Sequence, residues 1–143
     1  MFRKLLLAKI HGATVTGADL EYEGSLTLPP ELLEASGIVP YESLHVWNVT
    51  RGSRLETYAI AGRSGSADIC ANGAAAHLIY PGDRVIVAAY GFFPADEVGQ
   101  HQPRVLFVDA QNQLVRTGSE VAGPERRSQQ TDQPDAVAQV SQL

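Results

Sequence analysis

The chain has one cysteine, Cys70, so it cannot form an internal disulfide or a thiolate zinc site. Cys70 reads as a small, largely buried apolar residue. No stretch is apolar over the ~20 residues a bilayer requires. The run Leu5-Leu6-Leu7-Ala8, ended by Lys9, is too short for a signal peptide. Cationic side chains are outnumbered, 11 against 16 acidic, for a net charge of −5. That balance disfavours nucleic acid, which rewards clustered Lys and Arg. It leaves a small anionic substrate open, because two or three local cations are enough. His11, His45, His77 and His101 lack ligand-like spacing, so no metal site is expected. Aromatics make up only 7%, and a core must therefore be built from Val, Ile, Leu and Ala. At 143 residues the expectation is one domain, soluble and cytoplasmic, with no membrane partner.

Short extended segments are what the chain does have. Residues 3–16 read as a strand or strand pair, with Gly12 as a bend or bulge. A turn is expected at 17–19, then a second extended piece over 20–28 with Gly24 inside it. Pro29-Pro30-Glu31 opens a short helix that Gly37 closes, and Pro40 prevents its continuation. Residues 44–49 and 55–60 read as a hairpin joined at 50–53. A short strand at 68–71, the turn Asn72-Gly73 and a helical turn over 74–79 follow. Residues 84–93 form the longest apolar strand, and 104–109 with 114–117 a last pair. Many short strands and two short helices predict a small closed barrel, mainly β. Residues 118–143 carry no aromatic residue and read as a disordered tail, so the domain is expected over 1–117.

The pair Gly24-Ser25 is unremarkable alone, since a serine after a glycine is usually a turn. Its company is different: Lys9-Ile10-His11 and Tyr22-Glu23 precede it. Trp47-Asn48-Val49-Thr50, Arg54, Thr57-Tyr58-Ala59-Ile60 and Asn72-Gly73-Ala74-Ala75-Ala76-His77 follow. Together, from about residue 1 to 117, these resemble the pyruvoyl-dependent aspartate 1-decarboxylases. Decarboxylation at an α-carbon leaves a carbanion, and side chains alone are poor electron sinks, so such enzymes carry a carbonyl that forms an imine with the substrate. Pyridoxal phosphate is the usual one, but the chain lacks a Gly-rich phosphate loop and is small for that class. The resemblance implies a covalently bound pyruvoyl group made from Ser25 instead.

The resemblance implies that Ser25 attacks the Gly24 carbonyl and that the chain breaks into 1–24 and 25–143, with pyruvoyl at the new terminus. It implies Tyr58 as the proton donor to the α-carbon and Thr57 as a residue of cleavage and substrate contact. Arg54 is the carboxylate clamp, because a guanidinium binds carboxylate in a fork. It is assigned to the retained carboxylate, since stabilising the departing one as an ion opposes reaction. Lys9 and His11, two residues apart on one strand face, add positive charge beside the substrate. Asn72, Gly73, Ala74 and Ala75 offer backbone N–H groups and small side chains to an anion or to the strained carbonyl. Tyr22 orients the scissile bond, and His77 is a structural partner for a backbone carbonyl. Read alone, Arg54 is a solvated hairpin charge, Thr57 a plain strand residue and Tyr58 a packing aromatic.

The resemblance also implies a six-stranded double-psi β-barrel and a homotetramer with sites between subunits. The implied reaction takes L-aspartate to β-alanine for pantothenate and coenzyme A. Trp47 and Ile86 line a neighbour's site or pack an interface. Gly12 and Gly17 depart from the family's bulkier or polar residues, and Leu26 from its smaller one. Two other readings stand beside this one: a barrel that never matures and serves as a binding module, and a pyruvoyl enzyme of another amino acid.

Overall fold

The computed structural model describes residues 1–123. Residues 124–143, where most of the expected tail falls, lie outside them. The described chain is mainly β, with mixed strand directions and short helices. Its strands are β1 (Phe2–Thr14), β2 (Gly17–Asp19), β3 (Ser25–Leu28), β4 (Ser43–Asn48), β5 (Arg54–Ala61), β6 (Cys70–Asn72), β7 (Arg84–Pro94), β8 (Arg104–Val108) and β9 (Leu114–Gly118). In the sheet they run in the order β2-β6-β3-β5-β4-β7-β1-β8-β9.

The extended stretch expected over 3–16 is a single long strand, Phe2–Thr14, that stops before Val15. Gly12 marks the expected irregularity: its φ is +86° and the β1–β7 register slips between His11 and Ala13. A Cβ there would lie 3.3 Å from the Val108 carbonyl oxygen. Glycine is thus the residue this bulge accepts. The turn expected at 17–19 is instead β2, paired in parallel with β6. A Cβ on Gly17 would meet Cys70 Sγ at 3.3 Å, so the small residue lets the two strands close. Cys70 is only half-buried, and desolvation raises its thiol pKa.

The helix α1 (Pro30–Ser36) ends at Gly37 with φ 77°, as its proline and glycine foretell. Leu32 and Leu33 turn inward. They join Ile10, Leu26, Leu28, Leu44, Val46, Val87 and Leu106 in one aliphatic core. Burying each such side chain contributes roughly 1.5–3 kcal/mol, which is how a core without large aromatics holds. The helical turn expected over 74–79 is a 3₁₀ turn, Gly73–His77, and a second spans Val98–Gln100.

Alternation on β1, β4, β5 and β7 leaves one face outward. Antiparallel register puts His11 opposite Ile86, Ile86 opposite Trp47, and Trp47 opposite Arg54. Directly opposed residues share a face. A row of side chains therefore crosses four strands in the order His11, Ile86, Trp47, Arg54. The parallel β1–β8 pair extends it to Phe107, and the β8–β9 pair to Arg116.

A buried carboxylate anchors one end of this frame. Asp83 accepts from Asn48 Nδ2 at 2.8 Å, Arg51 Nε at 2.9 Å and the Tyr80 amide at 2.9 Å. Burial alone would raise its pKa, but those donors outweigh burial and hold the carboxyl below its ordinary value. The contacts tie the β4–β5 turn to the turn before β7.

A candidate self-processing corner and a cationic row

Ser25 opens β3 and is buried, at 1% exposure, while Gly24 before it is exposed. The serine stands opposite Asn72 of β6. Asn72 Nδ2 donates to Ser25 Oγ and to Thr27 Oγ1, each at 2.9 Å. One amide thus fixes a hydroxyl beside the bond that precedes it. Thr27 was not anticipated, although its i+2 spacing from Ser25 on a strand is a readable signal.

Gly73 closes the corner from the other side. Its φ is +66°, and a Cβ there would lie 2.8 Å from both Gly24 Cα and Gly24 N, and 2.9 Å from the Tyr22 carbonyl oxygen. No side chain fits between these backbones, so only glycine allows the 72–76 turn to press on the chain around Gly24. Ala75 is half-buried and packs on the core, whereas Ala74 is exposed. Tyr22 meets the corner through its backbone carbonyl, with its ring exposed. The His77 ring is exposed too, and it is the residue's own carbonyl that accepts, from the Tyr80 hydroxyl at 3.2 Å.

The parallel β3–β5 register pairs Leu26 with Ala59, so Ser25 and Tyr58 stand one step earlier on neighbouring strands. Tyr58 is 37% exposed, with the Tyr41 ring 6.5 Å away. Thr57 points to the opposite face, across from buried Leu44. Arg54 shares the outward face with Tyr58 but sits four residues earlier, ~13 Å along an extended strand. Its guanidinium lies over the Trp47 ring at 5.1 Å.

Lys9 and His11 lie on β1, which β7, β4 and β5 separate from β3 in the sheet. Within one chain they do not meet Ser25. Lys9 Nζ pairs with Glu120 Oε1 at 2.9 Å. His11 packs against Phe107 at 5.5 Å, and its Nδ1 is buried without a partner among the described residues. Burial lowers the imidazole pKa from 6.5, and the positive charges of Lys9 and Arg84 lower it further. The expected positive charge at this place therefore rests on Lys9, with His11 neutral at pH 7. Glu120 falls in the expected tail, and no pattern in the sequence marks it. β9 itself runs to Gly118, one residue past the expected boundary at 117. Among the described residues no group of three or more His, Cys, Asp or Glu side chains is placed to hold a metal ion.

A mainly β chain with a buried serine after an exposed glycine and a tyrosine on the next strand is compatible with a pyruvoyl-type decarboxylase. Comparison with known proteins narrows the class. A family model described as aspartate decarboxylase matches residues 1–115. An aspartate 1-decarboxylase of Rhodopirellula baltica is 66% identical over 131 residues, covering 92% of this chain and 84% of the relative. One from Legionella pneumophila strain Lens is 54% identical over 122 residues, covering 85% and 92%. One from Myxococcus xanthus is 53% identical over 129 residues, covering 90% and 99%. The chain belongs to the aspartate decarboxylase family.

Proposed function

We propose that this chain converts L-aspartate to β-alanine and carbon dioxide, for pantothenate and coenzyme A synthesis, after making its own pyruvoyl group from Ser25. The observation that carries the reading is the corner itself: Asn72 Nδ2 on Ser25 Oγ, with Gly73 seated against Gly24. In processing, Ser25 Oγ attacks the Gly24 carbonyl carbon and the amide becomes an ester. Loss of the Ser25 α-proton then expels the Gly24 carboxylate. This frees chain 1–24 and leaves dehydroalanine, which takes up water and releases ammonia. Asn72 holds the hydroxyl in place, and the turn pressed on Gly24 offers backbone N–H groups to the developing oxyanion.

The mature group supplies the electron sink that decarboxylation needs. The residues around it do the rest. Arg54 grips the retained carboxylate, and its stacking on Trp47 limits the directions in which the fork can face. Lys9 adds a second cation. Tyr58 delivers a proton to the α-carbon, a role that needs hydrogen-bond reach but no charge. Thr57 assists cleavage from within the same strand. These parts are split within one chain, so the reading includes a homotetramer in which the corner of one copy faces the row of the next. It includes a closed six-stranded double-psi barrel as well, a reading that the mixed strand directions and single aliphatic core support.

Intact mass under denaturing conditions tests the proposal. Wild type should give two chains, split between Gly24 and Ser25, and should form β-alanine. Ser25→Ala should stay whole and form none. Full activity in an unbroken wild-type chain, or activity that depends on added pyridoxal phosphate, would reject it.

A further inference from the structure

We propose that Glu120 is an intramolecular competitor of the substrate at Lys9, so that residues 119–123 set the enzyme's apparent affinity for aspartate. The inference rests on the function proposed above and adds a residue to it.

Register explains why Glu120 reaches Lys9. Val105 pairs with Lys9 on one side and with Gly118 on the other. β9 therefore ends level with Lys9, and the chain turns back over the outward face of β1 within two residues. Gly118 lies beneath the Arg116 guanidinium, where a Cβ would be 2.8 Å from Nη1 and would only push that flexible side chain aside. The Arg116 guanidinium lies over the Phe107 ring, 3.8 Å from its centroid. Ser119, Glu120, Val121 and Gly123 then line one wall of a cavity of about 380 Å³, whose other wall is Lys9, His11 and Phe107.

The chemistry of the contact is that of the substrate. Glu120 brings a carboxylate on a short aliphatic stem, one methylene longer than the aspartate side chain. It sits 2.9 Å from the ammonium that the function assigns to the substrate. A carboxylate tethered two residues beyond a strand end has an effective concentration on the order of millimolar or more. Free aspartate must displace it. The Lys9 side chain is only 16% exposed, whereas that of Glu120 is 49% exposed, so the acid can swing into water while the cation stays. His11 lines the same cavity, and its buried Nδ1 has no hydrogen-bond partner among the described residues.

Mature full-length protein and its Glu120→Gln variant provide the test. The amide keeps the shape and removes the charge. The KM for aspartate should fall about two- to fivefold, the range a half-exposed ion pair commands, with kcat unchanged. A second readout does not depend on turnover. Lys4 and Lys9 are the only lysines, and both lie in chain 1–24. Acetylation of Lys9 relative to Lys4 by an N-hydroxysuccinimide ester, read by mass, should therefore rise in the variant. An active wild type whose KM stays the same or rises on Glu120→Gln overturns the competition alone. An unchanged acetylation ratio overturns the contact. A wild type without activity on aspartate overturns the proposed function, and the competition falls with it.

Discussion

The corner at Ser25 and the row from His11 to Arg54, the two regions on which the proposed function draws, are built in opposite ways. The corner is closed. Its serine and asparagine are buried, its hydrogen bonds are satisfied, and a glycine fills the last gap. The row is open. Arg54 is exposed and Lys9 is held by a carboxylate from a distant part of the chain. His11 keeps a buried nitrogen with no partner among the described residues. In the proposed processing, the groups packed directly on the Gly24–Ser25 bond come from β3, β6 and the turn after β6 of one chain. A region that must bind a dianion needs charges left uncommitted, and a surface on which something else can close.

The largest test of this contrast separates the two regions by mutation. Tyr58→Phe should still be cut at Gly24 but should decarboxylate ~10²–10⁴-fold more slowly, as loss of a positioned proton donor predicts. Arg54→Ala should also be cut and should fail through KM. If the two regions of one site come from different copies, mixed assemblies of these variants should recover about a quarter of wild-type activity, the statistical share of intact sites. No recovery in verified mixed assemblies would mean that both regions serve one site from one chain.

Gly73→Ala probes the closed region alone. The left-handed conformation costs a side chain roughly 1–2 kcal/mol before any clash with Gly24 is counted. Uncut precursor should accumulate, with scission slowed about tenfold or more. Activity per cut chain should hold, because the variant touches nothing in the row. Equal losses in cutting and in turnover per cut chain would blur the division. Quantifying the two chains by mass beside β-alanine formation tells these apart.

The smallest effect is expected at His11. Its native pKa lies below the unfolded value of 6.5, chiefly through burial and next through Lys9. The native state therefore binds this proton less readily than the unfolded chain. The stability it contributes is present above the unfolded pKa and is lost as pH falls through the lowered native value. Lys9→Gln should move the His11 titration back upward without restoring it, because burial remains. Glu120→Gln should move it further down, since that carboxylate opposes the shift. Titration of the imidazole by NMR reads both, and no shift in either variant would mean that the row is electrically less connected than its geometry implies.

Much of this was legible in the chain. Proline and glycine at the ends of α1, alternation on β4 and the hairpin after it are local signals, and each element stands where its signal lies. Gly12 announced a bulge because only glycine suits its backbone angle. Residues 17–19 misled, since a Gly-Ala-Asp triplet carries the local chemistry of a turn. What makes it a strand is its partner, Cys70 to Asn72, some fifty residues away. The motif residues can be read off by type, yet nothing local tells that they fall into two groups. Lys9 and Arg54 become neighbours of a common face only through the register of β1, β7, β4 and β5.

By itself the sequence determined the inventory: a serine after a glycine, an amide and a second glycine to hold them, a phenol, a few cations, and an aliphatic core to carry them. Residue chemistry is a local property, and one chain states it in full. Only the tertiary structure decided which of these groups meet, that Gly73 rather than a side chain presses on Gly24, and that a glutamate from beyond the last strand rests on Lys9. Strand order and register join residues a hundred positions apart, and no short stretch of sequence contains that distance.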